Sequence, residues 1–245
     1  MSASRAVILA AGNGKRMGRL TLDRPKTMLD VEGRALIDRE LDALAACGVL
    51  DVTIVVGYQH ERLRDHLGSR VRFIENARYQ ETNSLYSLWL ARETLDDGAV
   101  VMNSDILVSR RLMAKLIDAP VEDAVLVDRH SALAEEEMKV KIWHGFAIDF
   151  SKELAPWDAD GENVGILKFG RRGGRRLAEH LDAFIAAGAI NAWAPRAFKA
   201  IAQEWPVRAI ATDGLPWTEI DFPEDLERAR QMVSQPIVRS QRWAA

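Results

Sequence analysis

The sequence predicts an α/β fold, a three-layer doubly wound mixed sheet with a small β-rich insertion in its C-terminal half. Two observations carry this prediction. Short apolar runs alternate with segments of helical period through the first half of the 245 residues, the pattern of parallel strands joined by crossover helices. The runs at 6–10 and 52–56 stop at glycine and the run at 99–102 stops at Asn103-Ser104-Asp105. Polar or glycine-rich strand ends of this kind are where open α/β sheets bind ligands.

Taken in order, Ala6-Val7-Ile8-Leu9-Ala10 is apolar on both faces and reads as a buried strand. Residues 34–47 carry Leu36, Ile37, Leu41, Leu44 and Ala45 at helical spacing, and Gly48 supplies the C-cap. A second strand over 52–56, a short helix over 60–67 and a third strand over 71–75 follow. Residues 84–95 predict a helix with Leu85, Leu88, Trp89 and Ala91 inward, and 99–102 a fourth strand. In the second half, 124–128, 140–142 and 145–149 read as β segments. Helices over about 173–187 and 195–203, a strand near 207–212 and a helix over 223–233 complete the chain. Without a linker or repeat, residues 1–233 read as one domain, its N-terminal half binding nucleotide and about 124–215 binding a second substrate. Residues 234–245 read as a tail that is frayed or docked on another subunit, which leaves a homodimer open.

Composition narrows the function classes. A net charge of −3, with one basic cluster at Arg171–Arg176, argues against a nucleic acid as main partner. No apolar stretch approaches the ~20 residues that span a bilayer. Residues 1–5 lack the layout of a signal peptide. A single cysteine, Cys47, excludes an internal disulfide. A cytoplasmic protein without membrane insertion is expected.

The segment Leu9-Ala10-Ala11-Gly12-Asn13-Gly14-Lys15-Arg16-Met17 follows the first strand directly. A glycine turn there brings backbone N–H groups close to an anion, and Lys15 and Arg16 add charge. A dinucleotide-binding loop is the obvious rival, since Gly12, Gly14 and Gly18 form Gly-x-Gly-x-x-x-Gly. However, the second strand ends Val56-Gly57-Tyr58 without the acidic residue that would hold a ribose. Asp23-Arg24-Pro25-Lys26-Thr27 also separates the loop from the first good helix, and no Gly-x-x-x-x-Gly-Lys-Ser/Thr sequence exists.

Leu9-Ala10-Ala11-Gly12-x-Gly14-x-Arg16-Met17, followed by Pro25-Lys26, resembles the signature of the nucleoside-triphosphate transferase superfamily. That group includes sugar-1-phosphate nucleotidyltransferases and bacterial phosphocholine cytidylyltransferases. The resemblance runs from residue 5 to about 233 and implies a Rossmann-like nucleotidyltransferase fold. It implies that Leu9, Ala10, Ala11, Gly12 and Gly14 cradle a triphosphate, that Arg16 contacts it, and that Lys26 neutralises charge near the reacting phosphates. It also implies Mg²⁺ as cofactor. Asp105, at the end of the fourth strand, could by position alone cap the next helix or hold metal; the resemblance favours metal. Glu219 and Asp221 alternate on one face of an extended segment, so both can face one ion. The resemblance to a Trp-x-(Glu/Asp)-x-Asp element ranks Asp221 above Glu219.

Thr82-Asn83-Ser84-Leu85-Tyr86-Ser87-Leu88 resembles the Asn-x-x-Ser-Leu element of the phosphocholine cytidylyltransferase branch, which implies CTP. Asn83 and Ser84 would reach the pyrimidine from a position where they equally cap a helix. The segments 135–140 and 161–169 agree with that branch, so Glu137, Lys139, Glu162 and Lys168 are candidate contacts to the acceptor. For an ammonium acceptor, Trp143 and Trp217 offer aromatic faces. The expected partners are thus CTP and a small phosphorylated or phosphonate acceptor such as phosphocholine or 2-aminoethylphosphonate. A sugar-1-phosphate enzyme using UTP or GTP, and a non-catalytic nucleotide-binding subunit, are the alternatives.

Overall fold

The computed structural model describes residues 4–130 and 133–234; residues 235–245 of the expected tail lie outside them. Strand β1 (Arg5–Ala10) is followed by two short 3-10 turns and a small hairpin, β2 (Asp30–Val31) and β3 (Arg34–Ala35). Then come α1 (Leu36–Ala46), β4 (Asp51–Val56), α2 (His60–Leu67), β5 (Arg72–Glu75), α3 (Ser84–Leu90) and β6 (Ala99–Asn103). After β7 (Ile106–Val108) and α4 (Arg110–Ile117), the chain adds β8 (Ala124–Asp128), β9 (Lys139–Trp143), β10 (Phe146–Ser151) and β11 (Gly161–Phe169). It closes with α5 (Arg171–Ala186), α6 (Pro195–Ala202), β12 (Val207–Ala211), β13 (Trp217–Glu219) and α7 (Pro223–Ser234).

A nine-stranded mixed sheet runs β5-β4-β1-β6-β11-β8-β12-β10-β9. Within it β5, β4, β1 and β6 are parallel, while β11 runs antiparallel to both β6 and β8. Alternation along β1 builds two cores: Ala6, Ile8 and Ala10 face α1, α2 and α4, and Val7 faces α3, α5 and α6. These are the three layers that the sequence predicts. The β-rich part of the second half is the far end of this same sheet, β12-β10-β9, rather than a separate layer.

Two differences from expectation have physical causes, and one alternative for Asp105 is closed. The helix expected over 84–95 ends at Leu90, and residues 92–97 tighten into a 3-10 turn that still buries Leu95. The segment 161–169, not read as a β segment from the sequence, is a central strand. Two glycines and Lys168 hide it from a search for apolar runs. Asp105 does not cap a helix: β7 follows it, and α4 is capped by Ser109, whose Oγ accepts from the Leu112 N–H.

Candidate functional site

Strand order reverses between β1 and β6: the chain passes from β1 out to β4 on one side and returns to β6 on the other. At such a switch point the loops part and leave a crevice at the carboxyl ends of the strands. Leu9 and Asn103, paired in register there, both line a cavity of about 700 Å³. That volume suits a small-molecule site.

The loop after β1 contributes Ala11, Gly12 and Arg16 to the cavity. Gly12 has open space where a Cβ would stand. Gly14 is left-handed at φ 59°, and a Cβ there would come within 3.1 Å of the Lys26 Cβ. Gly14 therefore serves the loop's shape and the Lys26 stem rather than lining the cavity. Ala10 points into the core beneath α1. Arg16 lies over the Phe222 ring, 5.4 Å from its centroid, and pairs with Asp221.

A short ladder assembles the carboxylates. β13 pairs antiparallel with β7, Glu219 opposite Ile106, and the Ile220 N–H donates to the Asp105 carbonyl at 2.8 Å. That ladder brings two acidic segments more than a hundred residues apart to one point. One carboxylate oxygen from each of Asp105, Glu219 and Asp221 lies within 4.8 Å of the others. Lys26 Nζ donates to Asp105 Oδ2 at 2.6 Å and to Asp221 Oδ1 at 2.7 Å. Arg16 Nη2 is 2.8 Å from Asp221 Oδ2. Asp105 Oδ1 is buried with no hydrogen-bond partner among the described residues. Three converging carboxylates, one with an orphaned buried oxygen, are the oxygen donors that a hard divalent cation such as Mg²⁺ takes.

Electrostatics follow from this crowding. Burial alone would lower the Lys26 ammonium's pKa, but Asp105 and Asp221 outweigh it and raise it above the ordinary lysine value. Burial, then the neighbouring charges of Asp105 and Asp221, push Glu219 up to about 8 against the pull of Lys26. Behind the aspartates lies Glu40 on α1, 1% exposed. Its Oε1 accepts from the Ile106 N–H at 3.2 Å, and its Oε2 has no partner among the described residues. Burial, reinforced by the Asp105 charge, holds Glu40 well above the usual carboxylate range.

The expected base-reading pair also lines the cavity. Asn83 caps α3, its Oδ1 accepting the Ser84 N–H, while Ser84 Oγ accepts from the Ala194 N–H. Both do structural service at the place where they meet the cavity. Asn76, fully buried, donates to Thr82 Oγ1 and Ser87 Oγ and fixes the turn that precedes them.

Of the residues expected to contact an acceptor, Glu137, Glu162 and Trp217 line the cavity. Trp217 Nε1 donates to Asp128 Oδ2 at 2.9 Å. Three expectations are corrected. Lys168 is paired in register with Val100 and Ala124, near the starts of β6 and β8 and so at the opposite end of the sheet, because β11 is antiparallel. Its Nζ is tied to the Ile117 and Ala119 carbonyls. Lys139 is 1% exposed and spends its ammonium on the carbonyls of Glu135, Glu137 and Lys152, so it shapes the loop and does not reach the cavity. Trp143, 64% exposed, packs edge-on against His144 at the β9–β10 turn, off the cavity.

Asp128, Lys152 and Trp193 line the cavity without having been singled out in the sequence, as do Glu136, which falls in the acidic run at 135–137, and Asp225, which falls in the first turn of α7. Asp128 ends an apolar strand just as Asp105 does, and that signal could have found it. Asp225 Oδ2 accepts the N–H groups of Asp221 and Phe222, fixing the turn that aims Asp221. Trp193 and Lys152 meet the cavity only through tertiary folding and leave no local signal.

Comparison with known proteins returns a consistent family. The model of the MobA-like NTP transferase domain matches residues 6–203. The CTP:phosphoglutamine cytidylyltransferase of Campylobacter jejuni is 28% identical over 247 aligned residues, covering 91% of this chain and 97% of that protein. The CMP-5'-(3-aminopropyl)phosphonate synthase of Streptomyces rubellomurinus is 35% identical, but over 51% of this chain and only 21% of that longer protein. The structure of CTP:phosphocholine cytidylyltransferase from Streptococcus pneumoniae superposes with a TM-score of 0.81 at 22% identity, covering 96% of this chain and 100% of that one. This last likeness establishes the shared Rossmann-like α/β fold.

Proposed function

Because the chain belongs to the MobA-like NTP transferase family, we propose that it transfers CMP from CTP to a small phosphorylated or phosphonate acceptor bearing an ammonium group. The observation that carries this reading is the meeting of Arg16, Asp105 and Asp221 on the wall of a cavity at the β1–β6 switch point, with Lys26 bonded to both aspartates. Relatives named CTP:phosphoglutamine cytidylyltransferase and CMP-5'-(3-aminopropyl)phosphonate synthase support the nucleotide and the acceptor class. Glu137, Glu162 and Trp217 line the cavity and are groups of the kind that take a cationic headgroup; Glu136 is already paired with Lys152 at 3.2 Å, and that ammonium lies 5.7 Å from the Trp193 ring centroid.

In the proposed reaction an acceptor oxyanion attacks the α-phosphorus of CTP in line. A new P–O bond forms, the bond from the α-phosphorus to the αβ-bridging oxygen breaks, and the electron pair leaves on pyrophosphate. The attacking oxyanion is already ionised near neutral pH, phosphate monoesters having a second pKa of about 6, so no general base is required. Arg16 and the amides of the loop after β1 hold the leaving pyrophosphate, and Lys26 offsets charge on the transferred group. Asp105 and Asp221, with Glu219, would hold Mg²⁺, which neutralises charge at the phosphates when bound. Asn83 and Ser84 face the base.

The test is pyrophosphate release by the purified chain with Mg²⁺, each of CTP, UTP and GTP, and a panel of acceptors. The panel holds phosphocholine, aminoalkylphosphonates, amino-acid phosphates, polyol phosphates and sugar 1-phosphates. Turnover with CTP and an ammonium-bearing acceptor is expected. Turnover confined to UTP or GTP with a sugar 1-phosphate, or tight CTP binding with no turnover on any acceptor, would sink the reading. Asp105→Ala should abolish release while its circular dichroism matches the parent; retained activity would remove Asp105 from the metal site.

A further inference from the structure

Lys26 stands where a cation bridging the two aspartates would stand. Its Nζ touches Asp105 Oδ2 and Asp221 Oδ1, and Arg16 holds the remaining oxygen of Asp221. Three of the four aspartate oxygens are thus occupied by the two side chains that, in the reading above, serve the triphosphate. Both oxygens of Asp221 are among them, so a divalent ion can take Asp221 as a ligand only by displacing Lys26 or Arg16, and its charge beside a buried ammonium is strongly unfavourable. Metal on the aspartates and Lys26 on the aspartates therefore exclude one another.

We propose that Lys26 is the resident counter-ion of the metal carboxylates, so that divalent cation and triphosphate bind as one unit. Lys26 and Arg16 leave the aspartates when a triphosphate offers them oxygens, and only then are the carboxylates open to a metal. The exchange conserves charge, since two positive side chains give way to one doubly charged ion. Local structure permits the movement. Lys26 sits in a three-residue 3-10 turn after Pro25, not in a long helix. The missing Cβ of Gly14, which would otherwise meet the Lys26 Cβ and Cδ at 3.1 and 3.7 Å, leaves its stem room. Gly14 thereby acquires a role distinct from that of Gly12, which opens onto the cavity.

The inference rests on the nucleotidyltransferase reading, but its test does not use turnover. Nucleotide-free protein is titrated with Mn²⁺ in a calorimeter, comparing the parent with Lys26→Met. The variant is expected to bind Mn²⁺ more tightly, by on the order of tenfold or more. Lys26→Gln keeps a donor between the aspartates and gives the same comparison should the methionine variant fail to fold. Binding by both variants no tighter than the parent's overturns the inference, while pyrophosphate release in the acceptor assay leaves the function reading standing. Failure of every chain to bind Mn²⁺ overturns it as well. Tighter binding by the variants, in a parent that releases pyrophosphate, supports both.

Discussion

Glu40 shows how far one buried group is controlled by its surroundings. It holds the Ile106 N–H, the residue after Asp105, while burial and the Asp105 charge keep its pKa well above the ordinary glutamate value. The native state therefore keeps a proton that the unfolded chain loses above about pH 4.3. Stability from this group is fully present below that pH and falls as pH rises toward the native pKa. Glu40→Gln preserves the acceptor for Ile106 and cannot ionise. The variant should melt above the parent at pH 8 and converge on it toward pH 5. A difference of about 1 kcal/mol is worth roughly 2–4 °C in a chain of this size. Melting curves across that range, recorded without divalent cations, decide the matter; a gap that does not change with pH would mean that Glu40 does not carry the effect.

At the level of elements, β11 matters most, and it is where sequence and structure part. β1, β4 and β6 were legible because central parallel strands are apolar runs, α1 because helical period and Gly48 mark it, and α7 because Pro223 opens it with Glu224 and Asp225 in its first turn. The loop after β1, Lys26, Asp105 and Asp221 were singled out by the family resemblance, position alone leaving Asp105 open between helix cap and metal ligand, and the fold brings Arg16, Lys26, Asp105 and Asp221 together. The direction of β11 was not legible. Nothing local distinguishes a strand that runs against its neighbours, and reversal carries Lys168 from the expected acceptor wall to the far end of the sheet. Lys168 Nζ instead satisfies the Ile117 and Ala119 carbonyls. Lys168→Met should leave acceptor KM unchanged within about twofold and lower the melting temperature, since orphaned buried carbonyls cost about 1–3 kcal/mol. A large rise in acceptor KM without loss of stability would restore Lys168 to the site.

At the scale of the whole molecule, the halves proposed to bind nucleotide and acceptor share one sheet. The edge of β6 is covered by β11, whose residues Ile166 to Phe169 pair with Met102 to Ala99. Behind that pairing lie Leu167 and Phe169, packed with Leu95, Ala99 and Val101 in one core. A fragment ending near residue 123 would keep the loop after β1, Lys26 and Asp105, the chemistry that marks the nucleotide half. It would also expose β6 as an open, apolar edge, the arrangement that recruits other chains. It would lose β13 as well, whose ladder with β7 brings Asp221 to Asp105. The fragment should therefore aggregate on expression and bind no nucleotide. The intact chain should unfold in a single transition that CTP with Mg²⁺ shifts as a whole, by roughly 2.7 kcal/mol at a hundredfold excess over Kd. Calorimetry and size-exclusion chromatography read both outcomes. A soluble, nucleotide-binding fragment, or two separately shifting transitions, would show that the halves are independent domains and that the sheet joins them without making them one.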